Sequence, residues 1–158
     1  MNTPKSASEN LSFSAEKSYS PTLVPDLVHE HQGMVKHLAA VISSFDNREL
    51  RTTASLLEQF KQETIAHVYK ETTKLYMYLQ YALVDQPYDF AQMREIRKEM
   101  DTIVAYTMDF LKKYASLETD SQLQQAFRTE MEELRDRWIM RVDIEESILF
   151  PMYQPPVH

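Results

Sequence analysis

The chain has 158 residues, one glycine, no cysteine and a formal net charge of −7 at pH 7. Its length suits one domain with a sizeable core, and the missing cysteines exclude disulfides, a thiolate metal site and a cysteine nucleophile. The negative charge repels phosphate backbones, so no nucleic-acid role is expected, and no apolar run approaches the roughly 18 residues of a membrane helix. The N-terminus lacks the charged-then-apolar pattern of a signal peptide, and a cysteine-free chain fits a reducing cytoplasm.

Residues 1–20, rich in Ser, Asn and Lys, read as a flexible tail ahead of a domain over 21–158. Pro21 and Pro25 bracket the start of a first helix over roughly 26–45, with a stripe of Leu27, His31, Met34, Leu38, Val41 and Phe45. Asp46-Asn47 makes the turn. A long second helix over roughly 48–83 carries Leu50, Thr53, Leu57, Phe60, Thr64, His67, Glu71, Leu75, Tyr78 and Ala82 on one face. The third helix, from Asp89 to about Ser116, shows Met93, Ile96, Met100, Ile103, Thr107, Phe110 and Tyr114. The fourth runs from the cap at Thr119-Asp120-Ser121 to Pro151, with Leu123, Phe127, Met131, Leu134, Trp138, Arg141, Glu145, Ile148 and Met152 inward. Four such stripes joined by short turns predict an all-α, antiparallel up-down-up-down four-helix bundle.

The polar interruptions of these stripes carry the functional information. His31, Thr64, His67, Glu71, Arg141 and Glu145 fall at similar heights in an antiparallel bundle, which places them in one buried layer. A buried imidazole or carboxylate without a partner costs several kcal/mol, on the order quoted for isolated polar groups, so each needs a partner from another helix. Thr53 and Thr107 are milder exceptions, because a lone hydroxyl can bond back to its own helix. His29 and His37 lie off the stripe and read as surface residues, and Glu146 could exchange roles with Glu145 if the register slipped by one.

His29-Glu30-His31 with Met34 and Leu38 behind it, His67-Val-Tyr-Lys-Glu71, and Glu145-Glu146-Ser-Ile-Leu149-Phe150-Pro151 together resemble the hemerythrin or HHE cation-binding family. The resemblance covers about residues 25–152. It implies a bundle whose polar layer holds two irons, ligated by a His from helix 1, a His and a Glu from helix 2, a His from helix 3, and a His and a carboxylate from helix 4. Two of these positions differ here. Arg141 stands at the helix 4 His, and Met93 stands at the helix 3 His, with Arg97 one turn further on. The set left by the resemblance is His31, His67, Glu71 and Glu145, enough for one metal. Arg141-Val-Asp-Ile-Glu145-Glu146 and Ala66-His67-Val68 are also similar to stretches of the Rsd/AlgQ regulators, which bind the primary sigma factor of bacterial RNA polymerase. The Trp-containing stretch in helix 1 of those regulators is not reproduced.

The leading expectation is charge substitution: Arg141, helped by Arg97, supplies the positive charge in place of iron and pairs with Glu71 and Glu145. His31, Thr64 and His67 complete this network. It describes a cytoplasmic, non-enzymatic regulator without a cofactor that binds a protein partner, by resemblance a sigma factor. Tyr76, Tyr78, Tyr81 and Tyr88 with Phe90 read first as packing at the end of the bundle; where exposed, Tyr76, Met77, Tyr81 and Tyr88 are the candidate contact residues. The acidic run Glu130, Glu132, Glu133 reads as a solvated face, with steering of a basic partner as the alternative. The competing expectation is a site for one iron or zinc ion on His31, His67, Glu71 and Glu145, in a sensor or carrier of oxygen, nitric oxide or iron. No nucleophile motif or phosphate loop supports catalysis. The sequence leaves monomer and homodimer open.

Overall fold

A computed structural model describes residues 19–156. Four helical rods form the predicted bundle. α1 is Leu23–Asp46; α2 is α-helical over Leu50–Lys70, π-helical over Glu71–Tyr76 and α-helical again over Met77–Ala82. α3 is Pro87–Lys113; α4 is α-helical over Ser121–Ile144, π-helical over Glu145–Leu149, and ends in a 3-10 turn over Phe150–Met152. No described helix is long and apolar enough to cross a membrane.

Local chemistry accounts for the boundaries. Pro87 opens α3 at a position whose N–H needs no partner, and Asp120 caps α4 by accepting from the N–H groups of Gln122 and Leu123. The α1–α2 turn closes with Arg48 N–H on Phe45 O and Glu49 N–H on Ser44 O, and Arg48 holds a positive φ of 59°. This is a glycine-type helix ending taken by an arginine.

The predicted tail splits at its end. Residues 1–18, most of that segment, lie outside the described residues. Tyr19 and Ser20 are docked: the Tyr19 ring stacks on Tyr153, and Ser20 N–H donates to the Tyr153 hydroxyl at 2.8 Å.

Two apolar clusters fill the bundle. One contains Met34, Leu38, Phe60, Phe127 and Trp138; the other contains Leu27, Leu75, Tyr78, Leu149 and Phe150. Thr53 and Thr107 bond back to the carbonyls of Glu49 and Ile103, and Thr107 also accepts from Trp138 Nε1. Ser44 donates to Val41 O and shares a hydrogen bond with Thr53, whereas His31, Thr64, His67, Glu71, Arg141 and Glu145 lie between the two clusters.

Both π segments begin at a carboxylate of this layer, Glu71 and Glu145. A π turn inserts an extra residue, so the inward face beyond it shifts by one position. Beyond Glu71 the buried pair is Leu75 and Tyr76; beyond Glu145 it is Leu149 and Phe150. Two expectations change for this reason. Ile148, expected inside, is partly exposed, and Tyr76, expected at a contact surface, is buried.

Candidate metal centre

His31 comes from the middle of α1, His67 and Glu71 from one face of α2, and Glu145 from the end of α4. All four are almost completely buried. One ligand atom from each lies within 4.8 Å of those of the others. His67 Nε2 is 2.9 Å from Glu71 Oε1, and His31 Nε2 is 3.6 Å from Glu71 Oε1 and 3.5 Å from Glu145 Oε1. The two imidazole rings sit 4.7 Å apart, and His31 stacks on Phe150.

These contacts do not satisfy the groups that make them. Among the described residues eleven buried side-chain polar atoms lack a hydrogen-bond partner, and all but His37 Nε2 belong to this layer and its immediate surroundings. They include both oxygens of Glu71 and Glu145, both nitrogens of His31 and His67 Nε2. The short His67–Glu71 approach is therefore out of hydrogen-bonding alignment. An unsatisfied buried group costs about 1–3 kcal/mol, and the ion pairs of His31 with Glu71 and Glu145, and of His67 with Glu71, offset only part of that cost. A cation bound to four of these donors removes most of that cost, and two carboxylates balance a divalent charge.

Outer groups orient the imidazoles. Glu30 Oε1 lies 2.9 Å from His67 Nδ1, and Lys70 Nζ donates to Glu30 Oε2 at 2.6 Å. With the Nδ1 proton on Glu30, the Nε2 lone pair faces the layer, as in carboxylate–histidine–metal arrangements. Glu146 Oε2 stands 3.6 Å from His31 Nδ1 in a looser version of the same relation. The sequence reading gave Glu30 no role and Glu146 only the role of a substitute for Glu145. Their position one residue from His31 and Glu145 was the available signal.

Without a cation the layer holds protons. Burial opposes charge on His31, but the carboxylates of Glu145 and Glu71 beside it outweigh that effect and raise the imidazole to about 10. His67 is raised too, as Glu71 overcomes the effect of burial. Burial, with the neighbouring charge of Glu71, pushes Glu145 up, whereas Glu71 goes down because His31 and His67 outweigh its burial.

The two arginines are not in this cluster. Arg141 Nη1 donates to Glu99 Oε2 at 2.7 Å, and no ion pair joins it to Glu71 or Glu145. Arg97 is half-buried with its guanidinium 5.4 Å over the Tyr76 ring, and it pairs with no carboxylate among the described residues. The expected Arg–Glu network is thus corrected: α3 offers Arg141 a solvent-facing carboxylate, which spares the guanidinium full desolvation. Thr64 is buried beside the cluster with its hydroxyl unpartnered. His29 is exposed as expected, whereas His37, also expected at the surface, is largely covered and pairs through Nδ1 with Glu63. Met77, Tyr81 and Tyr88 are exposed near the α2–α3 turn.

A bundle of four helices with His and Glu converging on its axis is the architecture of a cation-enclosing helical protein. The chain belongs to the hemerythrin family: the family model described as the hemerythrin HHE cation-binding domain matches residues 22–153. No curated protein and no solved structure matches it.

The two-iron arrangement implied by the resemblance does not fit these residues. Met93 is buried where a helix 3 ligand would stand, and its thioether is a poor iron ligand. Arg141 has no lone pair to give and adds a positive charge. The four converging donors fit one ion.

Proposed function

We propose that this protein binds a single iron or zinc ion per chain through His31, His67, Glu71 and Glu145, and that the ion serves binding or sensing rather than catalysis. The observation that carries this reading is the convergence of four buried donor atoms within 4.8 Å, most of them without any other partner. Two imidazoles and two carboxylates suit iron and zinc, and a bound ion would supply Lewis acidity and a position for a small exogenous ligand. The protein's own part is to hold the imidazole tautomers through Glu30 and Glu146 and to exclude bulk water with the apolar clusters on either side.

The sigma-factor reading has less behind it. The family match is to cation-binding proteins.

The test is thermal unfolding of chelator-treated protein with and without Fe(II) or Zn(II), in the wild type and in His67→Ala. Metal at about 100 times its dissociation constant should stabilise the wild type by roughly 2.7 kcal/mol and leave the variant unmoved. Equal behaviour of the two proteins would remove the site.

A further inference from the structure

Tyr76 is the one tyrosine of the predicted contact group that turns inward. It is 3 % exposed, and its hydroxyl is buried without a hydrogen-bond partner. It lies five residues beyond Glu71, at the end of the π turn that this carboxylate opens. Helical side chains lean toward the N-terminus of their helix, the direction that leads from Tyr76 to Glu71. Burial, Glu145 and Glu71 favour the protonated form of Tyr76, and Arg141 and Arg97 oppose them. The Arg97 guanidinium lies 5.4 Å over the Tyr76 ring.

We infer that the Tyr76 hydroxyl is a fifth donor of this site and gives it a preference for ferric iron over zinc. The inference rests on the cation-binding reading above. Two carboxylates neutralise a divalent ion in a buried place; adding one phenolate neutralises a trivalent ion, which two carboxylates alone leave with an uncompensated charge. Burial, then the charges of Glu145 and Glu71, hold the phenol protonated while no cation is present. A bound cation inverts that balance. On coordination the phenol O–H proton leaves to solvent and an oxygen lone pair forms the bond to the ion, with no change of oxidation state. Tyrosine oxygen is an established iron donor elsewhere, as in the haem ligand of catalase.

The experiment loads the full chain, after chelator treatment, with ferric citrate or with zinc chloride, in the wild type and in Tyr76→Phe. Visible absorption and competition titration are recorded, with circular dichroism as the check on folding. The ferric wild type should show a phenolate-to-iron charge-transfer band that the variant lacks. Ferric affinity should fall at least about tenfold in Tyr76→Phe while zinc affinity stays within about twofold. A ferric wild type without the band, a band that survives in the variant, or equal loss of both metals would each overturn the role of Tyr76. Failure of the wild type to bind either metal would instead overturn the cation-binding reading and this inference with it. If the variant does not fold, resonance Raman spectra of the ferric wild type decide, since phenolate modes enhanced under the band must be present.

Discussion

Arg141 of α4 reaches across to Glu99 of α3, its Nη1 donating to Glu99 Oε2 at 2.7 Å, and leaves the buried carboxylates to the histidines. Arg141 is buried but Glu99 is half exposed, so removing the arginine leaves a carboxylate that water can solvate, a loss of up to about 1 kcal/mol and not the roughly 3–5 kcal/mol of stranding a buried charge. Arg141→Leu should therefore change stability in urea by no more than about 1 kcal/mol and leave metal stoichiometry unchanged. A loss of 3 kcal/mol or more, on the scale of a broken buried pair, would return Arg141 to the layer.

Glu30 holds His67 from outside the site, through Nδ1 at 2.9 Å. Glu30→Gln can keep a contact to the ring but loses the charge that favours the metal-binding tautomer. Metal affinity should fall roughly 10–100-fold, the usual effect of removing such an outer group, with metal stoichiometry at saturation preserved. Titration against a chromophoric chelator measures this directly.

The proton content of the layer sets a pH dependence for the metal-free protein. His31 is raised from 6.5 to about 10, so the folded state holds more protons than the unfolded one across that window. The stability this provides is fully present below pH 6.5 and drains away as pH rises toward about 10. Glu145, also raised, acts in the same sense from its ordinary value of 4.5 upward. Glu71, lowered, contributes stability that is present above 4.5 and lost as pH falls through its depressed value. Urea midpoints of chelated protein should decline from pH 6.5 to 9.5, within the window set by His31. Metal affinity should climb over the same interval, because the ion displaces those protons. A flat apo profile would mean that the histidines are not charged by the carboxylates.

Most of the bundle could be read from the sequence because strict three-and-four spacing set its four faces. The stripes from Leu27 to Val41, from Leu57 to Glu71, from Met93 to Tyr114 and from Phe127 to Glu145 are all buried. His31, His67, Glu71 and Glu145 stood out because they break those stripes. Beyond Glu71 the spacing still held at Leu75 and Tyr78, but the π turns add a residue, bring Tyr76 and Phe150 inward as well and turn Ile148 outward. A periodic count carries no signal for such an insertion. The partner of Arg141 was equally hidden, since Glu99 lies on an exposed face of α3 with nothing in its neighbourhood to mark it.

Met93 and Arg141 are buried at the two positions where this chain departs from the six-ligand pattern. Replacing both, in Met93→His/Arg141→His, should raise metal content from one ion per chain toward two, because imidazole supplies the lone pairs that a thioether gives weakly and a guanidinium lacks. Elemental analysis of the double variant beside the wild type checks the expectation. An unchanged count in a folded variant would show that more than ligand identity limits the site.

The most direct measurement is metal content per chain in untagged protein expressed with iron and zinc in the medium, taken together with the same count for Glu71→Ala. Four converging donors predict one tightly held ion in the wild type and none in the variant. Two ions per chain would contradict the single-ion site and restore a two-metal centre despite Met93 and Arg141. A stable wild type that holds no metal would contradict the account at its centre, leaving His31, His67, Glu71 and Glu145 as a purely structural layer.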